Sequence, residues 1–140
     1  MTSLPAGFRA HVANVGIKDE TDDLVVITAE RPVPTAAVFT RSRFAGPSVE
    51  LSRRHVADGL ARCVVVISKN ANVATGEAGA ADAAEVASSI AERLGGTPTD
   101  VMVTSTGVIG RRYPMDRLRA GLAAIPAGPT GDDARAVARA

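Results

Sequence analysis

The residues of this chain best suited to chemistry are Ser105-Thr-Gly-Val-Ile-Gly110. A small hydroxyl residue followed by glycine leaves backbone N–H groups accessible and lets a reacting group approach closely, which is what stabilising a tetrahedral oxyanion requires. The same spacing serves an ordinary strand-to-helix turn whose glycines supply backbone geometry alone, and spacing by itself favours that ordinary turn. A phosphate cradle is not encoded, because neither G-x-x-x-x-G-K-[S/T] nor G-x-G-x-x-G occurs.

A second polar stretch, Ser68-Lys-Asn-Ala-Asn-Val-Ala-Thr-Gly76, follows an apolar run, at the kind of strand end where open α/β sheets bind ligands. Asn70 and Asn72 are candidates to hold a substrate amide or carboxylate. Asparagine is equally at home in such a loop because it tolerates left-handed backbone angles and bonds to its own main chain. Lys69 reads as a solvated charge.

An attacking group is missing from this set. Cys63 heads the apolar run Cys63-Val-Val-Val-Ile67 and reads as a buried structural thiol. His11 and His55 lie far apart, so with a single cysteine no metal site is expected. No G-x-S-x-G elbow occurs, and the paired carboxylates Asp22-Asp23 and Asp132-Asp133 read as a turn and a helix start. The chain offers stabilisers and no nucleophile.

Strands and helices must position these residues. Apolar and β-branched patterning predicts strands over Arg9 to Ile17, Leu24 to Thr28 and Ala36 to Thr40, with the charged link Lys18 to Asp23 as a hairpin turn. Pro32 and Pro34 are expected to separate the second strand from the third, since each removes a ladder donor. Ser52 is placed as the cap of a short helix running through His55 to Gly59. Beyond the strand Cys63 to Ile67, a helix is expected from about Ala78 to Leu94. Ala83, Ala87, Ile90 and Leu94 share one of its faces, while Asp82, Glu85, Ser89 and Glu92 point elsewhere. Gly95-Gly96 ends it. A strand over Val101 to Ser105 follows, then a helix with Pro114 in its first turn and Leu118, Leu122 and Ile125 on its inner side. Strand, helix and strand predict a parallel crossover. A last helix begins near Asp132 and meets no stop signal before Ala140, as if cut within an element. The expected fold is α/β, a mixed sheet with helices packed on it.

Apolar residues make up 46% of the chain and aromatics only 3%, so the core is expected to be close-packed Ala, Val, Ile and Leu. Sixteen basic and fifteen acidic residues are spread along it without a Lys/Arg block, which argues against nucleic-acid binding. Neither a leader-like amino terminus nor a long apolar segment is present, so no membrane partner and a cytoplasmic setting are expected. The 140 residues suit one compact domain or one piece of a larger one.

Four short stretches, in order, carry a resemblance: Pro5-Ala-Gly-Phe8; Ala37-Val-Phe-Thr-Arg41 with Ala45-Gly-Pro47; Asn70-Ala-Asn-Val-Ala-Thr-Gly76; and Ser105-Thr-Gly-Val-Ile-Gly110 followed by Pro114-Met-Asp-Arg-Leu118. By these the chain resembles the amino-terminal (alpha-chain) region of the ornithine acetyltransferases, also called glutamate N-acetyltransferases. The resemblance implies an αββα sandwich, incomplete without a second chain. It also implies a precursor that cuts itself, freeing an amino-terminal threonine nucleophile on a second (beta) chain, with two alpha and two beta chains in a heterotetramer. Acetyl would pass from N-acetylornithine to glutamate through an acyl-enzyme, in arginine biosynthesis, without a metal or cofactor. Thr106 and Gly107 match the family pair that stabilises the oxyanion. Removal of one such donor raises a barrier by about 3 kcal/mol.

The family's Ile-Met-Thr-Thr-Asp-type segment and the Lys-Gly-x-Gly motif before its cleavage threonine have no counterpart in these residues, and no threonine here matches the nucleophile. The isolated chain is therefore expected to be inactive. Two rival readings remain: a non-catalytic small-molecule binding or interaction domain with the Asn70 to Gly76 loop as its pocket, and a truncated, inactive product.

Overall fold

Antiparallel and parallel pairing meet in one four-stranded sheet. The computed structural model describes residues 2–140, with strands β1 (Phe8–Ala13), β2 (Leu24–Pro34), β3 (Leu60–Ile67) and β4 (Val101–Ser105) in the order β1-β2-β3-β4. β1 with β2 and β2 with β3 are antiparallel, while β3 and β4 run parallel through a crossover helix α2 (Gly76–Leu94). The expected mixed sheet and parallel crossover are both present.

The expected hairpin forms, but β1 stops at Ala13 and does not continue to Ile17. The reason is Asp23, fully buried, whose carboxylate accepts the N–H of Val15 at 2.7 Å and of Ile17 at 2.8 Å. Those donors are turned into the connection and are lost to the ladder.

No strand forms over Ala36 to Thr40. β2 instead runs through both prolines to Pro34, its register to β3 broken between Thr28 and Val33 and resumed at Val33–Ala61 and Pro34–Leu60. β1 pairs with β2 only as far as Ala29, so the far end of β2 has a neighbour on one side alone. Proline is tolerated at such an open edge, where no second partner asks for its missing N–H. The opposite edge of the sheet, that of β4, is not free to take residues 36–40 either.

That edge is covered by α1 (Pro47–His55), which starts at Pro47 after Gly46 and places Ser52 inside the helix, not at its cap. Ser52 Oγ donates to Val103 O at 2.7 Å and accepts from Val103 N at 2.8 Å, and His55 Nδ1 lies 2.8 Å from Val101 O. One face of a helix thus satisfies the outward polar groups of an edge strand, which blocks further pairing.

The core lies on one side of the sheet. Leu24, Val26, Cys63, Val65, Ile67, Val101 and Val103 meet Ala83, Val86, Ala87, Ile90, Ala91 and Leu94 of α2. The alanines let helix and sheet approach closely, and each fully buried Val, Leu or Ile contributes about 1.5–3 kcal/mol over an exposed one. α2 ends at Gly95, whose φ of +67° is the left-handed cap glycine favours. α3 (Met115–Ala124) adds Leu118 and Leu122, with Ile125 buried just beyond, as the periodicity predicts. Asp82 does not point away from the core: it is 3% exposed and ion-paired to Arg112. α4 (Ala134–Arg139) is capped by Asp133, which accepts from Arg135 N and Ala136 N. On the other side of the sheet Val25 is buried, while Ile27, Val64, Val66 and Met102 are half-buried. Among the described residues no helix is long and apolar enough to cross a membrane.

Candidate active site

Because β3 and β4 are parallel, the loops that leave them emerge side by side, Ile67 opposite Ser105. Thr106 N donates to Ile67 O at 3.0 Å as the sheet ends. The two loops then stay laced together: Val108 N to Lys69 O at 3.2 Å, Ala71 N to Val108 O at 2.9 Å, and Gly110 N to Val73 O at 2.8 Å. Gly107 has φ +128°, and a Cβ there would sit 2.2 Å from the carbonyl carbon of Lys69. Close approach of the two loops, as well as backbone angle, therefore requires glycine at this position.

Among the described residues, lacing leaves the N–H groups of Gly107 and Ile109 over, and the first of them stands beside a hydroxyl. The N–H of Thr106 is taken by the sheet, so it is not one of the accessible backbone groups that the pattern suggested. The N–H of Gly107, between the bonded N–H groups of Thr106 and Val108, has no partner among the described residues. The hydroxyl of Thr106 has none either, and both residues are exposed. A hydroxyl and a backbone N–H on consecutive residues, fixed from behind, form an arrangement able to hold a developing negative oxygen. A cleft of about 150 Å³ lined by Ile17, Lys18, Lys69, Asn70, Val108 and Arg111 opens beside them.

The polar groups of the Ser68 to Gly76 loop are directed inward. Asn70 Nδ2 donates to Arg112 O at 2.9 Å, and its Oδ1 accepts from Asn72 N at 2.8 Å. Asn72, wholly buried, donates from Nδ2 to Gly79 O at 2.8 Å and accepts at Oδ1 from the Thr75 hydroxyl at 2.9 Å. Lys69, Asn72 and Ala74 all have positive φ, 73°, 52° and 61°, so the loop is tightly wound.

Lys69 is not a solvated charge. Its ammonium donates to Asp19 Oδ1 at 2.7 Å and Thr21 O at 2.6 Å, and lies 4.0 Å from the buried Asp23. These bonds, first that from Lys69 and then those from Thr21, hold the Asp19 carboxyl well below the ordinary carboxylate range. The hairpin connection is thereby tied to the residue that backs Gly107, a link between residues fifty positions apart that no local pattern signals. Arg112 grips Asp82 through two bonds, Nε to Oδ2 at 2.8 Å and Nη2 to Oδ1 at 2.6 Å, anchoring the far end of the turn to α2. The carboxylate in turn raises the Arg112 pKa.

Histidine and cysteine lie apart from this place. His55 is bound to β4, His11 sits in β1 opposite Val26, and Cys63 is 2% exposed in the core, where burial pushes its thiol up to about 12.

Comparison with known proteins bears on what this arrangement belongs to. A family model described as the ArgJ family matches residues 9–140. The chain is 51% identical over 138 residues to the glutamate N-acetyltransferase Oat2 of Streptomyces clavuligerus, covering 95% of this chain and 35% of that protein. It is 47% identical over 121 residues to the arginine biosynthesis bifunctional protein ArgJ 2 of a Nostoc species, covering 86% and 31%. Among solved structures, the bifunctional protein argJ of Bacillus halodurans matches with a TM-score of 0.84 at 30% identity, covering 96% of this chain and 68% of that one. Ornithine acetyltransferase of Mycobacterium tuberculosis, solved in complex with ornithine, matches with a TM-score of 0.83 at 37% identity, covering 89% and 69%. The chain spans about a third of the length of the curated relatives it matches. With residues 9–140 matched by the family model and the fold shared with solved members, this chain belongs to the ArgJ family.

Proposed function

We propose that the chain is the amino-terminal part of a cytoplasmic acetyltransferase that moves acetyl from N-acetylornithine to glutamate, with Thr106 and Gly107 as its oxyanion hole. The observation that carries this reading is the pair of donors on consecutive residues, Thr106 Oγ–H and Gly107 N–H, left without partners among the described residues on a turn laced at Thr106, Val108 and Gly110. The names of the relatives, glutamate N-acetyltransferase and ornithine acetyltransferase, support it.

In this mechanism the nucleophile is a threonine on a second chain. Its oxygen attacks the acetyl carbonyl carbon, the C–N bond breaks, and ornithine leaves with its amine protonated. The amine of glutamate then attacks the resulting ester, and the threonine hydroxyl is restored. Each half-reaction passes through a tetrahedral oxyanion, and both would place it against the Thr106 hydroxyl and the Gly107 N–H. No metal or cofactor is required by these steps. Asn70 and Asn72 serve by holding the loop that backs Gly107. The half-buried face of Ile27, Val64, Val66 and Met102 receives the second layer of the sandwich, in a two-alpha, two-beta assembly. The rival pocket at the Asn70 to Gly76 loop is disfavoured, because the asparagine side chains are already bonded within the chain.

Acetyl transfer from N-acetylornithine to glutamate, measured on this chain alone and on the chain co-expressed with the carboxy-terminal region, tests the reading. Activity is expected only in the combination, and Thr106→Ala is expected to lower it about a hundredfold. An unaffected Thr106→Ala enzyme would remove the oxyanion assignment.

A further inference from the structure

The residue before Thr106 is held from more than one direction. Ser105 Oγ donates to Ala71 O at 3.0 Å and lies 3.0 Å from Ser48 Oγ on α1. Tyr113, 4% exposed, sends its hydroxyl into the same space, beside Ser105, Ser48 and Asn72. Among the described residues that hydroxyl is the buried side-chain polar atom with no hydrogen bond. Buried tyrosine hydroxyls nearly always have a partner, so an orphaned one beside Ser105, the residue before Thr106, calls for a role.

We infer that Tyr113 is a positioning residue for acetyl transfer, its hydroxyl acting with those of Ser48 and Ser105 to set the turn that carries Thr106 and Gly107. This rests on the proposed role of those two residues. The proton of Ser105 is committed to Ala71 O, which leaves its oxygen as an acceptor with two lone pairs. Ser48 can supply a proton to one of them, and the unpartnered Tyr113 O–H is assigned to the other. Ser105 is then tied at once to α1, to the loop after β3 and to the segment leading into α3. Thr106 follows it directly, so any drift of Ser105 is passed to the Thr106 hydroxyl and the Gly107 N–H. A misplacement well under 1 Å at such donors is enough to slow the chemical step. Burial, the largest influence on the phenol, raises its pKa above the ordinary value, so it remains a neutral donor at physiological pH.

The test is Tyr113→Phe in the complete enzyme, which removes one oxygen and keeps the ring. The expected result is a loss of about tenfold in kcat with KM for N-acetylornithine unchanged within about twofold. Acylation and deacylation measured in single turnover should slow by the same factor, because both use the same two donors. The Thr106→Ala, Tyr113→Phe double variant should be no slower than Thr106→Ala alone, since Tyr113 acts through that site. Wild-type kcat in Tyr113→Phe, or additive losses in the double variant, would overturn the inference. If Tyr113→Phe fails to fold, Ser48→Ala must show the same pattern of kcat without KM, and wild-type kcat there would equally overturn it. A Thr106→Ala enzyme at wild-type rate overturns the oxyanion reading itself, whereas a slow Thr106→Ala beside a normal Tyr113→Phe overturns only the role of Tyr113.

Discussion

Two loops leave the sheet side by side, and they treat their polar groups in opposite ways. Ser68 to Thr75, after β3, turns Asn70, Asn72 and Lys69 inward, and each finds partners on other segments. Thr106 to Gly110, after β4, is exposed throughout and, among the described residues, keeps the Thr106 hydroxyl and the N–H groups of Gly107 and Ile109 unbonded. Its asparagines make the first loop a candidate to hold ligands. Hydrogen-bond partners argue the reverse: a loop whose donors and acceptors are bonded within the chain is scaffold, and a rigid turn with donors to spare can act on something else.

The sharpest way to break this division is Gly107→Ala, which joins the two loops' fates. Its Cβ would meet the Lys69 carbonyl carbon at 2.2 Å, so the lacing must open. Activity of the complete enzyme is expected to fall by at least about a hundredfold, with a lower unfolding midpoint as well. Thr106→Val should separate the two roles. It removes an exposed hydroxyl with no partner, so urea unfolding should change by less than about 0.5 kcal/mol while the barrier to transfer rises by about 3 kcal/mol. A large change in stability would show that Thr106 belongs to the scaffold.

Asn72→Ala should do the converse. It removes the bond to Gly79 O and the one that Oδ1 accepts from the Thr75 hydroxyl, and it places alanine at a positive φ, for a stability loss of about 1–3 kcal/mol by urea unfolding. Activity per folded enzyme should suffer less than in Thr106→Val. The smallest effect is expected from pH. The Asp19 carboxyl is held below its ordinary 3.8 in the folded chain, so its bond with Lys69 stabilises at and above that pH and is lost as pH falls below it. Unfolding midpoints of the wild-type chain and Lys69→Met should differ at pH 7, and the gap should begin to narrow only as the pH falls below about 4.

Elements whose logic is local were legible in the chain. The Ala/Val/Ile spacing of α2 and its stop at Gly95, the apolar runs of β3 and β4, and the Pro114 start with Leu118 and Leu122 all appear where the pattern places them. Misreadings cluster where a distant partner intervenes. The Ala36 to Thr40 segment has strand composition but no strand edge to join, because α1 occupies that of β4. Ser52 looks like a cap and instead bonds the backbone of a residue fifty-one positions away. Asp82 has the spacing of a solvent-facing residue and is drawn inward by Arg112, thirty positions on.

The same division runs through the candidate site. By itself the sequence determined that a hydroxyl-glycine turn follows an apolar strand, that a parallel crossover precedes it, and that the motifs are those of the ArgJ family. Only the tertiary structure decided which donors on that turn are free, since the N–H of Thr106 is taken by Ile67 O across the sheet and the N–H of Gly107 is not. It alone made Gly107 obligatory through the Lys69 carbonyl, turned Asn70 and Asn72 inward, and gathered Ser48 and Tyr113 beside Ser105, the residue before Thr106. Residue types and short-range spacing specify local backbone, whereas a hydrogen bond is available to a ligand only if no other part of the folded chain has claimed it first.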